Sequence, residues 1–477
     1  MSRIALAYEK GPHSAEVCYA LKAMMELSGL DYHLFPLSDI SAIPPEDLLV
    51  SYGSSVPAIQ AKKHIHIYRS PLLYEAYKEA GSLPATPLPE YDGLPVIYTG
   101  GESVEPFFVR DRSMLSTNID IPAATFFMIT RYEEYIPGER DEYGCFPVSS
   151  SLAFREGFLS YPIVNRYLDL FRSWVGELDV NLGDRPGWRG RKFAVCLTHN
   201  VDRIRKYTPR RVIREMAGDM LRGRFAASAR LALDALAVAR GTRRDPYWTF
   251  DFIMNLEERL GMRSSFFIRT DYDTGPEEVY SILDAGPSQL VKYIASRGHE
   301  IGLHGGVYGH DDPRRMAEER RRLSRLIGRA APGARQQRLL WKNPVTWSAM
   351  ADAGLLYDST LSFRGSNGFR CGVCFPYRVF DLRRGRELPL WEIPVTATDA
   401  ALTAGRNEGR DGEALSEVEA LLSTVSDHGG VFVLLWHNTS LDTDSRRRVY
   451  ADVVEHIAGR DAYSGTCSGI LRCWTGG

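Results

Sequence analysis

Three apolar segments of the sequence end in side chains that bind metal ions or transfer protons. The first ends in residues 198–202 (Thr-His-Asn-Val-Asp), the second in His304 and the third in His437. Carboxylates and neutral imidazoles bind divalent cations, and imidazole also transfers protons near neutral pH. Because parallel strands place their carboxyl ends at one edge of a sheet, we expect these groups to form one site.

Each motif by itself has a purely structural explanation. Residues 198–202 are also typical of a strand end closed by an Asx turn. His304 alone is better explained as a buried, hydrogen-bonded histidine. The coincidence of three strand ends favours a functional site.

The elements that must position these motifs alternate between strands and helices. The apolar pattern predicts strands at 193–198, 264–268, 300–303 and 431–436, and helices at 249–260, 288–296 and 315–327. Repeated strand-helix units predict an α/β domain with a parallel sheet, closed or nearly closed into a barrel.

The first part of the chain is predicted to form separate structure. Residues 1–105 are expected to be an α/β domain, with strands at 4–8, 32–35, 47–52, 64–68 and 94–98 and a helix at 14–27. Residues 106–188 are rich in aromatic side chains and are predicted to be an accessory helix and loop segment. Glycines and prolines in 181–191 indicate the boundary before the domain at 191–477.

The motifs of residues 191–477 resemble those of the polysaccharide deacetylases, the NodB-homology proteins of carbohydrate esterase family four. Residues 264–267 (Ser-Ser-Phe-Phe) resemble the family's Ala-Thr-Phe-Phe strand, 298–304 its second motif and 433–437 its last motif. The chain is most similar to a subfamily with Leu-Thr-His-Asp-Val-Asp at the first motif and an extra N-terminal domain, found among bacterial surface-polysaccharide proteins. The resemblance implies a distorted (β/α) barrel of NodB type.

The same resemblance implies a metal-dependent hydrolase that removes an acyl group from an N-acylated sugar or surface-polysaccharide intermediate. It implies a divalent metal, most often zinc, with Asp202 and His304 as ligands. His437 is then the general acid and oxyanion partner. Arg335 is the candidate for the arginine that orients the base, with a solvated loop arginine as the alternative.

Three departures from the family pattern put the activity in doubt. Asn200 stands where the subfamily has Asp, and an amide cannot take a proton from water at neutral pH, so either position 200 or Asp202 is the base. Tyr308 replaces the second histidine of His-x-x-x-His, which leaves His310 as a third metal ligand if the glycine-rich loop bulges. Gln337 stands where the subfamily tends to have His. The alternative function is therefore a catalytically impaired relative that binds a glycan or a partner protein.

Residues 203–245 are strongly basic, with twelve Lys and Arg against four Asp and Glu. We favour a solvated helical insertion that covers the mouth of the barrel. One alternative is a basic amphipathic helix in peripheral contact with an anionic membrane, which would make the protein a scaffold recruited there. Another is contact with a nucleotide-sugar or polyphosphate-linked substrate.

The composition of the 477 residues limits the remaining function classes. A net charge of -2 gives no reason to expect a nucleic acid partner. The sequence has no secretory signal and no apolar stretch of transmembrane length, so we expect a cytoplasmic protein, with any contact at the inner membrane face made through 203–245. The seven scattered cysteines indicate reduced thiols, and we interpret Cys371 and Cys374 as structural rather than as half of a zinc site. Neither the sugar nor the oligomeric state is predicted.

Overall fold

The computed structural model describes residues 4–42, 48–58, 61, 63–101, 107–111, 113–178, 182, 185, 187–270, 280–404 and 411–476. Residue 47 of the predicted third strand and part of the predicted boundary at 181–191 lie outside these ranges. Within the described residues the chain is a mixed α/β protein with two main sheets.

The first sheet belongs to the N-terminal part of the chain. The strands here are β1 (Ile4–Tyr8), β2 (Tyr32–Pro36), β3 (Leu48–Gly53), β4 (Lys63–Tyr68), β5 (Glu90–Tyr91), β6 (Leu94–Pro95), β7 (Phe108–Asp111) and β8 (Met114–Thr117). The sheet has the order β2-β1-β3-β4-β8-β7, parallel except for β7 with β8, and β5 pairs with β6 separately. The sheet therefore continues past residue 105, where the sequence predicts that the first domain ends.

Five helices accompany this sheet. They are α1 (Ser14–Ser28), α2 (Ile121–Ile129), α3 (Tyr132–Tyr135), α4 (Leu152–Arg155) and α5 (Ile163–Glu177). Every residue of α2 is buried, which explains why its sequence is apolar on all sides. The predictions for β1, α1 and β4 are confirmed, but the strand expected at 94–98 is wrong beyond Pro95. Its Ile97 amide donates to the Tyr167 hydroxyl (3.0 Å) instead of to a neighbouring strand.

The second sheet carries the motifs of the C-terminal part. Its strands are β9 (Phe193–Val201), β10 (Ser265–Arg269), β11 (Glu300–Gly305), β12 (Gly333–Gln336), β13 (Tyr357–Asp358), β14 (Tyr377–Asp381), β15 (Arg386–Glu392), β16 (Ala397–Thr398), β17 (Val431–His437) and β18 (Ala462–Ser464). The order is β14-β15-β13-β12-β11-β10-β9-β17-β16, with β18 beside the start of β9. All these pairings are parallel except that of β14 with β15, so the predicted parallel sheet is confirmed. A NodB-type barrel stays a prediction.

The described residues of this part also form ten α-helices. They are α6 (Pro209–Leu221), α7 (Phe225–Ala239), α8 (Phe250–Arg259), α9 (Ala285–Ser296), α10 (Pro313–Ile327), α11 (Val345–Asp352), α12 (Asp399–Thr403), α13 (Asp411–His428), α14 (Asp444–Ala458) and α15 (Cys467–Trp474). Among the described residues, no helix is long and apolar enough to cross a bilayer. All seven cysteines are free thiols, and Cys371 and Cys374 are buried.

Candidate active site

The strand register brings the polar ends of β9, β11, β12 and β17 to one edge of the second sheet. Asn200 is in register with His437, and His304 is in register with Arg335. Strand β9 is buried along its whole length, so its polar end is held by packing on both sides. Asn200, His304, Arg335 and His437 thus lie on strands, and Asp202 lies one residue beyond the end of β9.

A cavity of about 260 Å³ opens at this edge. Its walls are formed by Asp202, Arg203, Tyr247, Arg269, His304, Gln337, Arg338, His437 and Thr439. Of the residues predicted for the site, the structure brings Asp202, His304 and His437 into this cavity. None of the described residues of α6 or α7 lines it, although Arg203, the first residue of the basic segment, does. That this segment covers the mouth of a barrel stays a prediction.

The His304 ring is fixed by a backbone carbonyl. Its Nδ1 lies 2.9 Å from the Arg335 carbonyl oxygen, which can only accept, so Nδ1 carries the hydrogen. In the neutral ring Nε2 then presents a lone pair, and it lies 3.1 Å from Asp202 Oδ1. Two acceptors this close require a proton or a cation between them. Metal-binding histidines typically donate their other nitrogen to a carbonyl in the same way.

Asp202 is ionised in this setting. Burial raises the pKa of its carboxyl, but the hydrogen bond that His304 donates when its Nε2 is protonated, together with the charge of His437, outweighs burial and holds the pKa well below its usual range. Its side chain keeps 31% exposure, so it faces the cavity. The carboxylate is available as a ligand or as a proton acceptor.

His437 is held by a buried carboxylate. Its Nδ1 lies 2.8 Å from Asp399 Oδ1, and its backbone amide donates to Asp399 Oδ2 (2.9 Å). Burial lowers the pKa of His437, but Asp399 and then Asp202 raise it, with a net value of about 9. Nε2 therefore carries a proton at neutral pH and lies 3.8 Å from Asp202 Oδ2.

Arg335 is fully buried in β12, so the alternative of a solvated loop arginine is wrong. Its guanidinium donates to Thr198 Oγ1 (2.8 Å), to Asn200 Oδ1 (3.3 Å) and to both oxygens of Ser359. Among the described residues it has no carboxylate partner within 4.0 Å, and burial lowers its pKa. The direct hydrogen-bond partners of this buried cation are thus neutral groups, one of them the amide that replaces the expected Asp.

His199, the most conspicuous residue of the first motif, faces away from the cavity. Its Nε2 lies 2.7 Å from Glu257 Oε1, which also accepts from the Tyr450 hydroxyl (2.6 Å). All three side chains are buried. Because side chains alternate along a strand, Asn200 lies on the opposite face of β9 from His199, and Asp202 follows one residue beyond the strand end.

His310 is not brought to Asp202 and His304. Its Nδ1 donates to the Val307 carbonyl (2.7 Å), its Nε2 lies 3.9 Å from Asp311, and it does not line the cavity. Tyr308 is exposed, whereas Gln337 lies in the cavity wall. In the described part of the chain, no group of three or more His, Cys, Asp or Glu side chains is arranged to hold a metal ion.

Sequence reasoning missed Asp399 and Arg269. Asp399 is the first residue of α12, immediately after the two-residue strand β16 that pairs with β17. Arg269 ends β10 one residue beyond the predicted strand, in register with His304. The same rule that found His304, a polar residue at a strand end, applies to both.

The model of a family of unknown function, DUF7033, matches residues 6–179. No curated protein matches the chain in sequence.

Several solved structures are similar to the chain. A putative polysaccharide deacetylase from Mycobacterium smegmatis is 19% identical, with a TM-score of 0.40, over 62% of this chain and 93% of that one. Puue allantoinase is 16% identical, with a TM-score of 0.42, over 63% and 96%. A probable polysaccharide deacetylase from Pseudomonas aeruginosa PAO1 is 14% identical, with a TM-score of 0.40, over 63% and 96%.

Proposed function

We propose that the C-terminal part is an amide hydrolase of the polysaccharide deacetylase type that removes an acyl group from an N-acylated sugar. The observation that carries the proposal is the meeting of Asp202, His304 and His437 in one cavity. The Asp202 carboxylate can act as a metal ligand or as a base. The His304 imidazole, whose tautomer is fixed, can act as a ligand, and the protonated His437 imidazole can act as an acid.

A divalent cation, with zinc as the first candidate, fits between Asp202 and His304. The fit rests on the 3.1 Å approach of two acceptor atoms and on the carbonyl that orients His304. Only two protein ligands are present among the described residues, whereas catalytic zinc usually has three, so we expect weak binding. A bound cation would polarise the acyl carbonyl and acidify a water molecule.

The protein's own groups then handle the protons. The Oδ1 atom of Asp202 faces His304, while Oδ2 faces His437 and is free to take the proton of the attacking water. His437 Nε2–H donates to the leaving amine, and Asp399 stabilises the charged ring until it does. Arg203, Tyr247 and Arg269 in the wall are positioned to bind sugar hydroxyls or an attached anion.

The metal proposal is tested by comparing two histidine variants. We expect His304→Ala to weaken zinc binding at least tenfold, because it removes one of two ligands, and His310→Ala to leave it unchanged, because that ring lies outside the cavity. Equilibrium dialysis with zinc detection measures both, and acetate release from N-acetylated oligosaccharides measures activity. Equal losses in the two variants, or no zinc binding by the unmodified protein, would overturn the proposal.

A second candidate function is a catalytically impaired relative that binds a glycan. Asn200 favours it, because this amide sits where a base is expected and accepts a hydrogen bond from Arg335. Oligosaccharide binding without acetate release, unchanged by His437→Asn, would support this second function and exclude the first.

A further inference from the structure

The helices α6 and α7 form a hairpin, residues 209–239, that stands apart from the core of the protein. No residue of α6 is buried, and Ser228 is the buried residue of α7. The hairpin helices contact each other through residues that are only half-buried. Amphipathic helices of a globular protein normally bury their apolar side, so this hairpin lacks a partner for it.

The hairpin exposes an apolar surface. Fourteen large hydrophobic side chains are exposed among the described residues, and six of them lie here: Ile213, Met220, Leu221, Phe225, Leu233 and Leu236. Leu221 (90% exposed) and Phe225 (65%) flank the tip, at Gly223. Ile213, Met220 and Leu221 follow helical spacing along α6, as Phe225, Leu233 and Leu236 do along α7.

The same hairpin carries cations without counter-charges. Glu215, Asp219 and Asp234 are each paired with an arginine. Four exposed arginines of the hairpin have no acidic partner among the described residues, Arg210, Arg214, Arg222 and Arg230, and the same holds for Arg240 immediately after it. A soluble insertion does not need both an exposed apolar stripe and uncompensated positive charge.

We propose that the hairpin docks on an anionic membrane surface, with the apolar tip in the headgroup region and the unpaired arginines on lipid phosphates. Exposed apolar residues interleaved with arginines are the pattern of interfacial helices. Charge complementarity favours anionic lipid, since each arginine near such a surface strengthens binding by roughly fivefold. A soluble polyphosphate would use the arginines but leave the apolar tip without a function.

The base of the hairpin is tied to the rim of the cavity. Asp245 accepts from the backbone amides of Lys206 (2.8 Å), Tyr207 (3.2 Å) and Tyr247 (2.9 Å), which closes the base. Arg203 and Tyr247 on either side of it line the cavity. Docking would therefore hold the cavity close to a lipid-attached sugar. This last step rests on the proposed function, whereas docking itself does not.

The test is flotation of the full chain with phosphatidylcholine vesicles that contain or lack phosphatidylglycerol. We expect binding to the anionic vesicles only, reduced at least tenfold in Leu221→Ser/Phe225→Ser and about a hundredfold in Arg214→Gln/Arg222→Gln/Arg230→Gln. The matched controls, Leu356→Ser and Arg329→Gln/Arg386→Gln, alter exposed residues outside the hairpin and should bind normally. All variants change exposed side chains, so circular dichroism should show intact folding.

Three outcomes would overturn docking: no binding to anionic vesicles, equal binding by all variants, or arginine-dependent binding that the Leu221→Ser/Phe225→Ser change leaves intact. The last outcome would indicate a purely electrostatic contact in which the apolar tip takes no part. Concentration-dependent self-association that the same change abolishes, without vesicle binding, would identify a second copy of the chain as the partner. Acetate release, measured separately, decides the proposed function.

Discussion

Asn200 lies between two hydrogen-bond donors that its side chain cannot satisfy together. Its Oδ1 accepts from Arg335 (3.3 Å), and its Nδ2 then lies 3.4 Å from Nε2 of His437. Since Asp399 keeps the His437 ring protonated near neutral pH, this contact places two donors face to face. A carboxylate would accept from both and would compensate the buried guanidinium.

We therefore expect Asn200→Asp to raise acetate release from N-acetylated oligosaccharides by at least tenfold, because it would add a second proton acceptor beside Asp202 and general base catalysis typically contributes about a hundredfold or more. The change should not lower the free energy of unfolding, since the new charge meets Arg335. Asn255→Asp, at an exposed position, is the control. An unchanged rate in a folded Asn200→Asp protein would mean that Asp202 alone is the base.

The sequence predicted where the site lies better than it predicted which residues belong to it. Asp202, His304 and His437 were found because each follows an apolar run whose end the sheet register aligns. His310 was inferred from loop flexibility, and its ring instead donates within its own turn. Asp399 was missed because β16 has only two residues and gives no apolar run to mark it.

The helices and strands were likewise predicted where an apolar pattern marks them. Long apolar runs such as β9 and β17 and amphipathic helices such as α8 and α10 were predicted within three residues of their observed ends. The region 333–398 was not assigned strands. For three of its five strands the reason is local, because β13 and β16 have two residues each and β12 is largely polar. Their strand geometry comes from pairing with neighbours, which local pattern does not contain.

A buried carboxyl pair joins two of these unpredicted strands. Asp358 of β13 and Glu392 of β15 are in register and fully buried. Burial raises the pKa of Asp358 to about 6 and that of Glu392 well above its usual range. Because the folded state holds these protons more tightly than the unfolded chain, stability should fall as pH rises from about 4 through 6.

Removal of one carboxyl should weaken that dependence. We expect Glu392→Gln to reduce the loss of unfolding free energy between pH 5 and pH 8. The reduction should be about 1.4 kcal/mol for each unit of raised carboxyl pKa that the substitution removes. Urea unfolding at both pH values measures the difference. The exposed Glu142→Gln serves as the control. A pH dependence that Glu392→Gln leaves unchanged would show that the Asp358–Glu392 pair is not its source.

The N-terminal and C-terminal parts share their interior. One continuous cluster of buried apolar side chains runs from β1 to α15. A buried ionic network crosses the same boundary, in which Arg370 pairs with Glu134 (2.6 Å) and Glu134 with Arg131 (2.8 Å). Two sheets with separate topologies are therefore expected to unfold as one unit, unlike domains joined by a linker.

Glu134 is the residue on which this coupling can be measured. Glu134→Gln leaves the Arg370 guanidinium buried without its carboxylate, so we expect a loss of about 3–5 kcal/mol in unfolding free energy. Glu134→Gln/Arg370→Met removes both charges and should recover a large part of it, while Glu139→Gln, exposed on the same segment, should change little. Calorimetry should show one transition that shifts as a whole in the Glu134→Gln protein. If only part of the heat absorption moves to lower temperature, the two parts fold independently and the shared core contributes little to their stability.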